Sequence, residues 1–212
     1  MEAKELKDFR LKELVMLQDY IPCLKGLIRL PLVDTYADFI STLYEDIDEF
    51  IGYLEDSRRE SHKASEDMLT SVLVSNFKTR GYIASHDTQI GGHCDILVEH
   101  KNFRWIGEAK IHSGYGYLNK GFQQLTTRYT TGKTNQNQGG MLVYINNKNA
   151  SKVMTTWETE IKARNHGLAT YKTCPESLSF FSRHVHETSG NEYITKHLPI
   201  LLHFDPKDLV DS

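Results

Sequence analysis

His93-Cys94-Asp95-Ile96-Leu97-Val98, and beyond a polar Glu99-His100-Lys101-Asn102 the run Phe103-Arg104-Trp105-Ile106-Gly107-Glu108-Ala109-Lys110-Ile111, decide the fold. Both runs are rich in β-branched and aromatic residues, and the tetrapeptide between them reads as a turn. Residues 93–99 and 103–111 are therefore expected to pair as a β-hairpin. Side chains alternate between the faces of a strand, so Glu108 and Lys110 share one face while Trp105, Gly107, Ala109 and Ile111 take the other. Asp95, on the neighbouring strand, lies beside Glu108 if the register allows. Charges in such apolar surroundings are rare unless they are paired or bind metal. Two carboxylates this close repel unless one is protonated or a cation sits between them. Oxygen donors of this kind suit Mg²⁺, with Mn²⁺ as a substitute. The lysine beside them supplies a compact positive charge for phosphate oxygens or a bound hydroxide. The bland alternative is a surface cross-strand salt bridge with Asp95 in a turn.

Upstream, residues 62–80 read as a helix in which Glu66 falls on the same face as Leu69, Leu73 and Phe77, an odd place for a carboxylate without a task. Downstream, Ile111-His112-Ser113-Gly114-Tyr115-Gly116-Tyr117 reads as a loop in which two glycines alternating with two tyrosines suit mobility and stacking on a base or sugar. Tyr115 is the stacking candidate. His112 continues the face of Lys110 and is a candidate for phosphate contact. A helix over 117–131 presents Leu118, Phe122, Leu125 and Tyr129, with Gln123 and Gln124 flanking that face. Gly140-Met141-Leu142-Val143-Tyr144-Ile145 is an apolar run of the kind buried in a parallel sheet. A helix over 150–166 and strands over 168–172 and 194–204 follow. Gly132-Lys133-Thr134 lacks the glycine-rich lead of a phosphate-binding loop, and Cys174, His184 and His186 lack the spacing of a zinc site.

Asp95 followed by Glu108-x-Lys110 resembles the PD-(D/E)xK nuclease superfamily, whose members share the restriction-endonuclease-like fold. Gly91-Gly92-His93-Cys94-Asp95 is similar to the approach to that family's metal-binding aspartate, although no proline precedes the aspartate here. The resemblance spans roughly residues 60–146. It implies an α/β protein with an αβββαβ core and a mixed sheet. It also implies a metal held by Asp95, Glu108 and the Ala109 carbonyl, a catalytic Lys110, and Glu66 as an outer or second-metal contact. The implied activity is a Mg²⁺-dependent deoxyribonuclease, an endonuclease by expectation, with DNA as its partner. RecB-like members carry Gln-x-x-x-Tyr on the helix after this motif. Gln124 to Tyr129 is one residue longer, which leaves Gln123 an equal candidate for orienting substrate.

Charge distribution adds to this. The chain has a net charge of -3, but residues 1–60 hold 8 Lys/Arg against 14 Asp/Glu, whereas residues 101–152 hold 8 Lys/Arg and a single acid, Glu108. A basic stretch of that kind suits a phosphate backbone, and it makes Lys120 and Arg128 substrate-binding candidates. Residues 1–60 read as an acidic helical region, and residues 61–212 as the nuclease-like domain. In the first region a helix over 3–18 precedes one over 34–57, whose Tyr36, Ile40, Leu43, Ile47, Phe50 and Leu54 form a heptad seam. That seam either packs on the chain's own core or meets a second copy or a partner protein. There is no apolar run of membrane-spanning length, no signal-like N-terminus and an odd set of three cysteines. A cytoplasmic nuclease of bacterial restriction or antiviral defence is the expectation. A junction-resolvase-like repair nuclease and a non-catalytic binding scaffold of the same fold are the alternatives.

Overall fold

The computed structural model describes residues 20–21 and 28–208. The helix expected over 3–18 lies outside them. The described chain is an α/β protein built on one mixed sheet of seven strands. In chain order come α1 (Tyr36–Asp56), α2 (Arg58–Ser61), α3 (Glu66–Thr79), β1 (Ile83–Gln89), β2 (His93–His100), β3 (Phe103–Ile111), α4 (Tyr115–Gln124), β4 (Gln138–Ile145), α5 (Ala150–Arg164), β5 (Ala169–Tyr171), β6 (Phe180–Val185) and β7 (Glu192–Leu201). A π-helical segment, Leu125–Tyr129, continues α4. The strands lie in the order β1-β2-β3-β4-β7-β6-β5. The inner trio β3, β4 and β7 is parallel, and antiparallel pairs flank it on both sides.

Local chemistry sets the helix starts. The Thr35 hydroxyl accepts from Asp38 N and the Asp38 carboxylate accepts from Thr35 N, a capping box that begins α1. The Ser65 side chain accepts from Met68 N and begins α3. This cap places Glu66 at the first residue of α3 rather than one turn inside a helix from 62, with its carboxylate at the positive end of the helix dipole. The seam of α1 packs on the chain's own core: Ile40, Leu43, Ile47, Phe50 and Leu54 are buried with Leu69, Leu73 and Phe77 of α3 against one sheet face. The opposite face carries Leu118 and Phe122 of α4 and Val153, Trp157 and Ile161 of α5. Both faces of β4 are thereby covered, Leu142 and Tyr144 on one side and Met141, Val143 and Ile145 on the other, so its sequence is apolar without alternation. The Trp105 ring lies so close over β4 that a Cβ on Gly140 would come within 2.3 Å of it. Glycine is the residue that admits the tryptophan there.

Several elements differ from their sequence expectation. The hairpin is tighter, with Glu99 opposite Arg104 and His100 opposite Phe103, which leaves Lys101 and Asn102 as the turn. Lys101 takes a left-handed conformation with φ 54°. Strand β1 was not marked by hydrophobicity, since its Ser85, His86, Asp87 and Thr88 are polar. Among the described residues it is an edge strand, paired only with β2. Strand β6 is also additional, and the helix expected over 117–131 begins at Tyr115 and changes type at Leu125. No described helix is long and apolar enough to cross a membrane.

Candidate active site

The site forms where β2 separates from β3. Their ladder ends at the Ile96–Gly107 pair, so the next inward N–H groups of β3 lose their strand partner. Two carboxylates replace it. Asp95 Oδ2 accepts from Ala109 N at 2.8 Å, and Glu66 Oε2, arriving from the start of α3, accepts from Ile111 N at 2.7 Å. These bonds satisfy buried donors that would otherwise be costly, and they hold both carboxylates in place.

Glu108 and Lys110 project from β3 toward α4. Lys110 Nζ lies 2.6 Å from Glu108 Oε1, 3.0 Å from Asp95 Oδ2, 3.4 Å from Glu66 Oε1 and 2.9 Å from the Ala109 carbonyl oxygen. One ammonium thus faces three carboxylates, which it cannot neutralise. Burial on its own would lower the Lys110 pKa, but Glu108, Asp95 and Glu66 hold the ammonium well above its ordinary range. Glu108 is 1 % exposed. Burial, with the Asp95 charge adding to it, pushes its carboxyl up to about 7 against the opposing pull of Lys110. Its second oxygen, Oε2, is buried without a hydrogen-bond partner.

That orphaned oxygen bears on the metal expected from the sequence. Among the described residues no three His, Cys, Asp or Glu side chains form a ready-made ligand group. Yet the acceptor atoms gathered around Lys110 are all hard oxygens, from three carboxylates and one carbonyl, and Glu108 Oε2 has no hydrogen-bond partner. This donor chemistry fits Mg²⁺ or Mn²⁺.

Helix α4 covers the cluster through a glycine. A Cβ on Gly121 would lie 3.0 Å from Lys110 Cγ and 3.3 Å from Glu108 Cγ, so the bare backbone makes room for both. One turn earlier, the Tyr117 hydroxyl lies 3.4 Å from each Glu66 oxygen, and its ring centroid is 5.9 Å from Lys110 Nζ. One turn later, Gln124 Nε2 donates to the Tyr129 hydroxyl at 3.4 Å. In an α-helix five residues overshoot a full turn by about 140°. The i→i+5 ladder of the π-helix brings residue i+5 back toward residue i, so the long Gln124–Tyr129 spacing still produces a pair. Thr126 and Thr127 donate to the carbonyls of Phe122 and Gln123, four residues back, along this distorted segment. Burial, then the Glu108 and Asp95 charges, raise the pKa of the Tyr129 phenol.

The remaining candidates are dispersed. Arg128 is exposed, and its backbone carbonyl packs on the β1–β2 turn so closely that a Cβ on Gly91 would come within 2.2 Å of it. Lys120 is exposed on α4. Lys101, Arg104 and Lys148, from the same basic stretch, are engaged with Asp34, Glu99 and Asp205. His112 Nδ1 contacts Asn147 Oδ1 at 2.9 Å, and Tyr115 packs its ring on His112 with centroids 5.1 Å apart. Gln123 faces away from the cluster. With Phe122, Thr126, Asn165, His184 and Glu187 it lines a separate cavity of about 620 Å³. The sequence reading missed Gly121 altogether, took Tyr117 only as part of the tyrosine–glycine loop, and took Tyr129 only as the end of an overlong Gln–Tyr spacing. The spacing 117-121-124 on one helical face, with a glycine in the middle, was the available signal.

No family model matches the chain. No curated protein matches it, nor does any solved structure.

Proposed function

We propose that this chain is a metal-dependent nuclease that hydrolyses DNA phosphodiester bonds, with a core of the restriction-endonuclease-like type. The observation that carries the reading is the convergence of Asp95, Glu108, Glu66 and the Ala109 carbonyl on Lys110 at the open edge of β3. The element order α3-β1-β2-β3-α4-β4 supports it, because it repeats the αβββαβ order implied by the resemblance. Asp95, Glu108 and the Ala109 carbonyl would hold Mg²⁺ or Mn²⁺, which when bound supplies charge neutralisation at the phosphorus and a more acidic water. The chain's own residues do the rest. Lys110 donates to a non-bridging phosphate oxygen, where negative charge grows as the attacking oxygen adds in line. Glu66 holds its position through Ile111 N and orients the attacking side. Gln124 and Tyr129 brace the helix over the site, and Arg128 and Lys120 meet flanking phosphates. Restriction or antiviral defence is the setting we favour, with a repair or recombination nuclease as the alternative.

A second reading has its own support. The bonds from Asp95 to Ala109 N and from Glu66 to Ile111 N also fasten α3 and β2 to the sheet. A binding scaffold of the same fold would keep them without any chemistry. Incubating the protein with supercoiled and linear DNA in Mg²⁺, Mn²⁺ or EDTA, beside Glu108→Ala, separates the two. Metal-dependent cutting lost in the variant is the expected result. DNA left intact by the wild-type protein in every metal would favour the scaffold.

A further inference from the structure

Tyr117 stands out once the site is assembled. It is an aromatic side chain left 39 % exposed whose hydroxyl also lies 3.4 Å from both oxygens of Glu66, so it touches the carboxylate cluster directly. One contact of its ring is the Lys110 ammonium. Around it the helix start is open, since a Cβ on Gly114 or on Gly116 would meet nothing within 4 Å. Tyr115, the loop tyrosine favoured by sequence, is instead engaged with His112 and packed against the core under α4. Exposed Lys120 stands three residues beyond Tyr117, and exposed Arg128 follows within the π-helical segment. An open aromatic ring followed by cations along one helix is the arrangement that binds an extended strand, bases on the ring and phosphates on the cations.

We infer that Tyr117 stacks on the base beside the scissile phosphate and that the preferred substrate is single-stranded or locally unpaired DNA. The inference rests on the nuclease reading for its polymer. The physical reason is that a ring can stack face to face only on a base that has left the duplex stack. The ring sits at the chemistry itself, so the unpaired base must be the one next to the bond that breaks. The hydroxyl, held on Glu66, orients the ring and does not read the base.

The test is binding of a short single-stranded oligonucleotide carrying 2-aminopurine, and of the matching duplex, in Ca²⁺ to suppress cutting. Wild-type protein, Tyr117→Phe and Tyr117→Leu are compared, with thermal unfolding of each as a check that the exposed site has not disturbed the fold. Wild type is expected to prefer the single strand and to quench the 2-aminopurine. Tyr117→Phe keeps both properties within about twofold. Tyr117→Leu loses about tenfold or more in single-strand affinity, the scale of one base–aromatic stack, along with the quenching, and keeps its duplex affinity. A wild type that ignores the single strand would overturn the inference. So would a Leu variant that binds it normally, or Phe and Leu variants that fall alike, which would place the whole effect in the hydroxyl. Cutting assays judge the nuclease reading separately. Stacking without any metal-dependent cutting would sink that reading alone, and cutting without stacking would sink this inference alone.

Discussion

Glu108 is the buried carboxylate of the site. Its folded pKa of about 7 lies above the ordinary carboxylate value, so the folded chain binds this proton more tightly than the unfolded chain. The resulting stability is present in full below the unfolded value and is lost as pH rises through about 7. In EDTA, the unfolding free energy of the wild type should fall on the order of 2–3 kcal/mol between about pH 5 and pH 8 relative to Glu108→Gln. Denaturant titrations at several pH values would show it, and parallel curves for the two proteins would remove Glu108 as the titrating group. Lys110→Met tests the ammonium while leaving its stem packed beneath Gly121. Cleavage should drop about a hundredfold or more, the usual cost of a lost charge-stabilising donor. Circular dichroism should show the same secondary structure. A variant that cuts like the wild type would remove Lys110 from the mechanism.

At the scale of elements, α4 and the π-helix set the site's precision. Gly121 costs the helix about 1 kcal/mol in propensity relative to alanine, yet it lies directly over Lys110 and Glu108. Gly121→Ala should therefore leave thermal stability within about 1 kcal/mol of the wild type, as gained propensity offsets the tighter contact. Cleavage should nonetheless fall about tenfold, because both side chains below must shift by a few tenths of an ångström. Activity unchanged in a stable Gly121→Ala would show that the close approach has no catalytic role. The alternation of residues 103–111 made Glu108 and Lys110 legible as neighbours, since strand period is a local property. The Gln124–Tyr129 pair was not legible: read on an α-helix its spacing fails, and only the π-helical segment restores it.

The described residues form a sheet clamped between two helical layers, and one buried histidine ties part of it together. His197 of β7 accepts from Trp157 Nε1 of α5 at 3.1 Å through Nδ1, and its Nε2 meets the Ser182 hydroxyl of β6 at 2.8 Å. Burial pulls its pKa down to about 3, so it stays neutral where the unfolded chain would take a proton. That stability is complete above the ordinary histidine value and is lost as pH falls toward 3. Wild-type stability should decline by about 1.4 kcal/mol per pH unit more steeply than that of His197→Gln across this window. Urea unfolding between neutral and mildly acid pH would measure the difference, and equal slopes would exclude His197. By itself the sequence determined the central hairpin, the buried strand β4, the apolar seam of α1 and the pairing of Glu108 with Lys110 on one face. Each follows from the period of nearby residues. Only the tertiary structure decided that β2 leaves β3 beside Asp95, that a cap puts Glu66 at the start of α3, and that Tyr117 rather than Tyr115 meets the cluster. Those outcomes depend on where separate elements stop and on which backbone donors are left without partners, and no short-range pattern records either.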